Sequence, residues 1–206
     1  MTRFGAIIFD LGGVVLDSPL EAIARFEAET GLPDGFINRT VVDAGANGAW
    51  AGHERGELTG DEFLEALAAE FAARGRRVDT PALMERIDGS IHPRPSMLRA
   101  LRTLSSAGFA LGAITNNWHP FGSDPMVGYF DVFVESVVEG VRKPEPEIYR
   151  RCLERLGTRP EACVMLDDIG PNLKPARQMG MTTIKVTSVE QALGELSELL
   201  GMDLDG

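Results

Sequence analysis

Five short apolar segments along the chain, rich in Val, Ile and Phe, have the composition of β-strands. After a long first interval they alternate with segments whose apolar residues recur at helical spacing. Such alternation predicts an α/β fold with a doubly wound parallel sheet and helices on both faces. Ligands of these sheets bind beyond the carboxyl ends of the strands. The predicted strands are Ala6–Leu11, Ala110–Thr115, Val132–Glu135, Cys163–Asp167 and Thr182–Val186.

Three helices are predicted between and after the later strands. The first has apolar residues at helical spacing and ends at Gly157, since glycine is favoured just past a helix C-terminus. The second ends at Gly180 for the same reason, and the third begins with a capping box. The residues that mark them are Ile148, Cys152, Leu153 and Leu156 in the first, Pro175–Met179 in the second, and Ser188, Gln191, Leu193, Leu196, Leu199 and Leu200 in the third.

The interval after the first strand has helical patterns and no convincing strand. One helix is predicted from Leu20 to Glu29, and another over Gly60–Ala73. Asp17 is expected to cap the first of them, ahead of a proline in its first turn. We interpret residues 18–91 as a helical cap domain inserted after the first strand of a Rossmann-like core, which residues 1–17 and 92–206 form. The cap would cover the strand ends as a lid.

Composition narrows the class of function. No apolar run in the 206 residues approaches the roughly 20 that a membrane span needs, and no signal peptide is visible, so we expect a cytoplasmic protein and no membrane partner. The net charge of −11 argues against nucleic-acid binding, because it repels phosphate backbones. Cys152 and Cys163 lie among apolar residues and are expected to be buried hydrophobes. No pattern indicates the oligomeric state.

Polar groups follow four of the apolar segments. Asp10 leaves the first strand and is followed by Gly12 and Gly13, which allow a sharp turn and close approach of a ligand. A carboxylate there can act as a nucleophile towards phosphorus, or can simply cap a turn. Thr115 and Asn116 follow the second strand and can donate hydrogen bonds to phosphate oxygens, although they are also ordinary turn residues.

The other two groups are charged. Lys143 precedes a proline, which disfavours helix at the lysine and places it on a stiff loop, where it is either a phosphate-binding cation or a solvated surface residue. Asp167 and Asp168 follow the strand of Met165 and Leu166. Adjacent carboxylates repel each other, and a bound cation removes that cost. Ligands that are all oxygen suit Mg²⁺.

Taken together, and in this order, these segments resemble the haloacid dehalogenase superfamily of hydrolases, most of which are phosphatases. Within it, the chain is most similar to the N-terminal phosphatase domains of soluble epoxide hydrolases and their bacterial relatives. The resembling stretches are Ile8–Val15, Thr115–Trp118, Lys143–Tyr149 and Leu166–Arg177. The resemblance covers nearly all of the core and is loose across the insertion.

The resemblance implies a Mg²⁺-dependent hydrolase that cleaves a small phosphorylated metabolite through a phospho-aspartate. Asp10 would be the nucleophile, and Lys143 would pair with it and with the phosphate. The expected metal ligands are Asp10, the backbone carbonyl of Gly12, Asp168 and the nearby Asp167. The residues expected at the phosphate or bridging to the metal shell are Gly13, Thr115, Asn116 and Asn172.

The chain departs from the family pattern at Gly12. Phosphatases of the family usually carry a second aspartate there, which protonates the leaving group and later activates water, and such acid–base help is worth ~10²–10⁴-fold. Asp17 is a substitute only if it is not the helix cap. His53 and Glu54 are substitutes only if the cap brings them in, and we expect both to face solvent. The stretch around them, which includes Trp50, either faces the substrate or connects helices, and Trp118 either lines the same cavity or packs on the cap.

Three alternatives remain from the sequence. Hydrolysis of 2-haloacids also uses a nucleophilic aspartate and needs no acid at Gly12, although it does not need Mg²⁺. A catalytically weak phosphate-binding or regulatory protein would also explain the missing acid. A nucleotide-binding oxidoreductase is disfavoured, because Gly12-Gly13 lacks the longer Gly-x-Gly-x-x-Gly pattern.

Overall fold

The structure, a computed structural model, describes residues 3–204. Its strands are β1 (Ala6–Phe9), β2 (Ala110–Thr115), β3 (Val132–Glu135), β4 (Cys163–Asp167) and β5 (Thr182–Lys185). They form one sheet in the spatial order β3-β2-β1-β4-β5, and every neighbouring pair is parallel. The predicted α/β fold with a parallel sheet is therefore confirmed.

Ten α-helices lie within the described residues. They are α1 (Pro19–Thr30), α2 (Phe36–Ala44), α3 (Ala49–Glu54), α4 (Gly60–Ala73), α5 (Thr80–Asp88), α6 (Pro95–Ser106), α7 (Ser136–Glu139), α8 (Pro146–Leu156), α9 (Gly170–Met179) and α10 (Val189–Leu200). Glycines in the left-handed conformation follow α1, α8 and α9, the last two at the predicted Gly157 and Gly180, and the predicted capping box begins α10.

Several predicted boundaries differ from the structure. Helix α1 extends one residue further at each end, to Pro19 and Thr30. Strand β1 ends at Phe9. The Asp10 N–H still donates to a carbonyl of β4, but the Leu11 N–H donates to the Asp10 carboxylate at 2.6 Å instead of to a neighbouring strand. β5 ends one residue early, at Lys185. Helix α9 begins at Gly170 rather than at Pro175. Its first turn contains Pro171, and a proline is tolerated in the first turn of a helix.

Alternate residues of the strands divide between two cores. Ile7 and Phe9 point to the face covered by α6 and α10, and Ala6 and Ile8 to the face covered by α8 and α9. Because both faces are covered, the central strands are apolar throughout. Cys152 and Cys163 are free thiols buried in the second core, as expected.

Helices α1–α5, which we call the cap helices, pack around a third apolar cluster of their own. The chain enters and leaves them at adjacent points, where the Asp17 N–H donates to the His92 carbonyl at 2.9 Å and that of Arg94 to Val15 at 2.9 Å. This junction supports the proposed division at residues 17 and 92. Within residues 3–204, none of the helices has the length and apolar character needed to cross a membrane.

The strand order places β1 at the centre of the sheet. From β1 the chain moves through β2 to β3 on one side, then returns to build β4 and β5 on the other. The order reverses between β1 and β4, and in doubly wound sheets ligands bind at such a point, beyond the carboxyl ends of the strands. Asp10 and Asp167 stand at these two strand ends.

Candidate active site

Two carboxylates share one buried cation at the carboxyl edge of the sheet. The Lys143 Nζ lies 2.7 Å from Asp10 Oδ2 and 2.8 Å from Asp167 Oδ2. Lys143 is only 1% exposed, Asp167 0% and Asp10 6%. The structure thus brings together three residues that are far apart in the sequence, and Lys143 is not a solvated surface lysine.

The side chain of Asn116 fixes the loop that carries Lys143. Its Oδ1 accepts from the Lys143 N–H at 2.8 Å, and its Nδ2 donates to the Lys143 carbonyl at 3.0 Å. Both backbone polar groups of the lysine are therefore held by one amide. Asn116 was expected to bind phosphate, but its side chain is committed to this loop, which leaves its backbone N–H for that role.

Burial and charge act in opposite directions in this cluster. Burial raises the pKa of Asp10 well above its usual value, and Lys143 opposes that rise. Burial also acts to lower the pKa of Lys143, but the charges of Asp10 and then Asp167 outweigh it, so its pKa is raised and the ammonium stays charged. Burial, and then the charge of Asp167, raise the pKa of Asp168 to about 6.

Asp168 adds a third carboxylate to the cluster. One oxygen from each of Asp10, Asp167 and Asp168 lies within 4.8 Å of the other two. The Asp168 Oδ1 is buried and has no hydrogen-bond partner among the described residues, which is costly for a charged oxygen. A hard cation with oxygen ligands would satisfy it and offset the excess negative charge, so the donor set fits Mg²⁺.

Asp167 is less suited to a direct metal contact than Asp168. Its Oδ1 accepts from the Ile169 N–H at 2.8 Å, its Oδ2 from Lys143, and both oxygens from the Asn172 Nδ2 at 3.1 and 3.2 Å. Because these donors occupy its lone pairs, Asp167 is poorly placed to bind a metal as well. Its contact with the Lys143 ammonium instead holds that group in position. Asn172 was expected to bridge the metal shell or bind phosphate, and its amide contacts Asp167.

Of the two glycines that follow Asp10 and Leu11, only Gly13 stands where glycine is required. Gly13 has φ +78°, and a Cβ there would overlap the Asp168 carboxylate. Its carbonyl accepts from the Arg94 Nη1 at 2.9 Å. Gly12 is different, since its φ is not positive and a Cβ would lie 3.5 Å from the Pro19 Cδ, an ordinary contact. Gly12 lines the cavity beside Asp10.

A cavity of about 460 Å³ lies between the strand ends and the cap helices. Its charged residues are gathered at the Asp10 end. Most of the remaining wall is apolar: Pro19, Leu20, Ile23, Ile37, Val41, Val42, Trp50, Ala51, Trp118, Ile169 and Pro171. Thr115 stands at the end of β2 and is 4% exposed.

Two predictions about the cap were wrong. Glu54 and His53 do not face solvent, since they are only 6% and 7% exposed. The Glu54 carboxylate accepts a short hydrogen bond from the Arg142 Nε and pairs with that guanidinium, which compensates its burial. The His53 ring stacks on Phe63, with centroids 4.0 Å apart.

The expectation about Asp17, which was considered as a helix cap or as a substitute for the acid missing at Gly12, is also corrected. Asp17 does not cap α1, because the Ser18 Oγ accepts from the Leu20 N–H at 3.3 Å, and Asp17 instead pairs with Arg94 at 3.5 Å. Asp17 does not line the cavity around Asp10 either. Trp118 does both things considered for it, since it lines the cavity and its ring lies 5.7 Å from that of Trp50, edge to face.

Sequence reasoning missed two positively charged contributors. Arg142 and Arg94 hold Glu54 and Gly13, respectively, and neither has a distinctive neighbourhood in the sequence. For Arg142 the one available signal is its position next to Lys143.

A doubly wound parallel sheet with a buried aspartate, lysine and acidic pair at its carboxyl edge defines a class of hydrolases that use an aspartate nucleophile. The sequence of residues 4–180 matches the family model of the haloacid dehalogenase-like hydrolases, and the chain belongs to that family. It is therefore a hydrolase of the haloacid dehalogenase superfamily, as the resemblance implied.

Several curated proteins are similar to the chain. Over 98% of its length it is 35% identical to acyl-CoA dehydrogenase family member 10 of Mus musculus, and over 97% it is 34% identical to bifunctional epoxide hydrolase 2 of Sus scrofa. The chain spans only 20% and 39% of those two proteins. It spans 98% of a sesquiterpene phosphatase of Aspergillus oryzae, to which 97% of it is 28% identical.

Solved structures share the fold. A predicted haloacid dehalogenase-like hydrolase from Porphyromonas gingivalis matches 97% of the chain and 98% of its own, with a TM-score of 0.70 and 21% identity. A family enzyme from Bacteroides thetaiotaomicron, in complex with magnesium and inorganic phosphate, matches 88% of the chain and 93% of its own, with a TM-score of 0.61 and 22% identity.

Proposed function

We propose that the protein is a Mg²⁺-dependent phosphatase that cleaves a small phosphorylated molecule through a phospho-aspartate. One observation carries the proposal: the Asp10–Lys143 pair lies beside Asp168, whose buried oxygen has no partner among the described residues. The name of the Aspergillus relative and the magnesium and phosphate bound to the Bacteroides enzyme support the same chemistry.

In the first step, an Asp10 carboxylate oxygen attacks phosphorus, and the bond from phosphorus to the leaving oxygen breaks with its electron pair. In the second, water attacks phosphorus and releases inorganic phosphate, which restores Asp10. Mg²⁺, held by Asp10, Asp168 and the Gly12 carbonyl, would supply charge neutralisation at the transferring group. The Lys143 ammonium adds a fixed positive charge, and Asp167 keeps it in place.

The phosphoryl oxygens would be bound by donors at the end of β2. The Thr115 hydroxyl and the backbone N–H of Asn116 are the proposed donors, whereas the Gly13 N–H, which was also expected at the phosphate, donates to the Asp17 carbonyl at 3.3 Å. Asn172 contributes indirectly, because its amide holds Asp167. Fixed, uncharged donors of this kind stabilise the transferring group without reorganisation during the reaction.

Gly12 decides which phosphate esters react fastest. No side chain at this position can protonate the leaving oxygen, so that proton comes from solvent. Esters whose alcohol is acidic, such as aryl phosphates, need no proton at the transition state and should react faster than alkyl phosphates.

The lining of the cavity supports a proposal about the organic group of the substrate. Its largely apolar wall extends from Asp10 to a mouth where Leu20, Val42 and Ile169 are 40%, 66% and 41% exposed. An apolar organic group would bury these surfaces, at about 25 cal/mol per Å². We therefore propose a monoester with an apolar organic group, acted on in the cytoplasm, with no nucleic-acid or membrane partner.

Phosphate release from a panel of aryl, alkyl, sugar and nucleotide phosphates, with and without Mg²⁺, tests the proposal. Asp10→Asn is the control, because it keeps the shape and removes the nucleophile. We expect Mg²⁺-dependent release by the wild type and none by the variant. Equal release by both proteins would refute a phospho-aspartate mechanism and support a binding or regulatory role.

The second candidate is hydrolysis of 2-haloacids, and the observation that favours it is Gly12. Displacement of halide by Asp10 needs no acid, since halide leaves as an anion. The unpartnered oxygen of Asp168 argues for a metal and therefore against this reaction. Turnover of 2-chloropropionate that survives chelation of Mg²⁺ would establish it over the phosphatase.

A further inference from the structure

Glu54 is a buried carboxylate that joins the cap helices to the core. It is the last residue of α3, and its Oε2 accepts from the Arg142 Nε and from the Asn116 Nδ2, the latter at 3.3 Å. Its Oε1 accepts from the Trp50 Nε1 at 3.0 Å. Two of its three donors therefore belong to the core, and one of these, Arg142, directly precedes the catalytic lysine.

The contact with Asn116 continues to the nucleophile. The Asn116 amide binds both backbone polar groups of Lys143, at 2.8 and 3.0 Å, and the Lys143 ammonium lies 2.7 Å from Asp10. The Asn116 Nδ2 group therefore donates both to the Glu54 carboxylate and to the Lys143 carbonyl. A continuous series of contacts runs from a cap helix to Asp10.

Burying a carboxylate costs free energy that a well-packed apolar residue would avoid. Glu54 is 6% exposed, in a cavity whose wall is otherwise mostly apolar, so simple packing does not account for it. Its partners differ from those of its neighbour Arg55, which pairs with Glu57 at 2.7 Å and with Glu145 at 3.8 Å.

We infer that Glu54 is a positioning residue for the phosphatase reaction. By holding Asn116, which binds the Lys143 backbone, and Arg142, which precedes Lys143 in the chain, it keeps the Lys143 ammonium aligned with Asp10 only while the cap helices are seated on the core. This inference rests on the proposed phosphatase function. It links assembly of the site to seating of the cap, and a loss of alignment should lower kcat more than it raises KM.

The test compares Glu54→Ala, Glu54→Gln and the matched control Arg55→Gln, with p-nitrophenyl phosphate and Mg²⁺. We expect Glu54→Ala to lower kcat about 10- to 100-fold with little change in KM. Glu54→Gln keeps an acceptor for Arg142 and should recover part of that loss. Arg55→Gln, which also disturbs a contact between cap and core, should retain the wild-type kcat.

Hydrogen exchange at the Lys143 amide gives a second readout that does not depend on activity. Its N–H is bound by Asn116, so we expect faster exchange in Glu54→Ala, intermediate exchange in Glu54→Gln and no change in Arg55→Gln. Equal losses of kcat in Glu54→Ala and Arg55→Gln, or unchanged kcat and exchange in Glu54→Ala, would overturn the inference. A wild type that releases no phosphate would instead refute the proposed function, and the exchange measurement would still decide whether Glu54 holds Lys143.

Discussion

The ammonium of Lys143 lies 2.7 Å from the carboxylate of Asp10, and both groups are almost fully buried. Burying either charge without the other would cost free energy, because each group would lose its hydration without compensation. Each member of the pair therefore stabilises the other in the folded protein, and the proposed mechanism needs both.

Lys143→Met should be severely destabilising in the absence of metal. It leaves Asp10 and Asp167 buried without their shared cation, and breaking a buried pair in this way costs about 3–5 kcal/mol. Urea unfolding with a chelator present measures the change. Lys174→Met, at an exposed position, is the matched control and should differ little from the wild type.

Asp168→Asn should abolish Mg²⁺-dependent activity and weaken Mg²⁺ binding, because it removes charge from the carboxylate whose buried oxygen lacks a partner. Calorimetric titration of the apoprotein measures the affinity. Wild-type protein should also melt at a higher temperature with Mg²⁺ than with chelator, since a ligand that binds only the folded state stabilises it. Asp34→Asn, an exposed carboxylate, should leave both results unchanged. Normal binding by Asp168→Asn would refute the assigned site.

Gly12→Asp should accelerate the cleavage of alkyl phosphates by up to about 10²-fold, with a smaller effect on aryl phosphates. The backbone at Gly12 accepts a side chain, since a Cβ meets only Pro19 at an ordinary distance. A proton donor there assists poor leaving groups most. Gly12→Ala is the control for the added carbon and should give no acceleration.

Gly13→Ala should damage the fold and the metal site more than Gly12→Ala does. Its positive φ alone costs an alanine roughly 1–2 kcal/mol, and the added Cβ would displace the Asp168 carboxylate. We expect lower stability together with weaker Mg²⁺ binding. Unfolding curves and titrations for Gly12→Ala and Gly13→Ala, measured side by side, check the contrast.

Val42→Glu should reduce kcat/KM for monoesters with long apolar groups and leave that for p-nitrophenyl phosphate nearly unchanged. Val42 is 66% exposed and lines the cavity mouth, so the change alters substrate contacts without opening a core. Val138→Glu is a close control, because Val138 is 61% exposed and does not line this cavity. Equal effects of the two variants would count against the apolar-group proposal.

His53 should make the protein less stable as the pH falls. Burial lowers the pKa of His53 below its usual 6.5, so the unfolded chain binds the proton more tightly than the folded protein does. The contribution of the neutral ring is fully present above the unfolded pKa and is lost progressively below it. His53→Phe keeps an aromatic ring on Phe63 and removes the titration. Urea unfolding between about pH 7.5 and 5.5 should show a steeper loss for the wild type; parallel losses would contradict the assignment.

The sequence predicted those parts of the site that depend on strand ends. Asp10, Asp167 and Lys143 follow apolar segments or precede a proline, and parallel strands bring such positions to one edge whatever the intervening chain does. The strand positions were predicted to within two residues because the apolar runs are sharply bounded.

The contacts of the cap were not predictable in the same way. Glu54 ends a helix of six residues that has no side-chain cap, and its partners Arg142 and Asn116 lie 88 and 62 residues away. Nothing local distinguishes it from a solvated glutamate, because its burial depends entirely on how α3 meets the core. For the same reason Asp17 and Ser18 could not be separated as helix caps, since Arg94 attracts Asp17 from 77 residues away.

The central position of β1 has a consequence for synthesis of the chain. Both edges of β1 are paired, one with β2 and the other with β4, which lies more than 150 residues later. A nascent chain that has not reached Cys163 exposes an unpaired edge of an apolar strand, the kind of template on which aggregation begins. Asp10, the proposed nucleophile, is therefore synthesised early but lacks its acidic partners until the chain reaches Asp167 and Asp168, and truncated products should be both inactive and prone to aggregate.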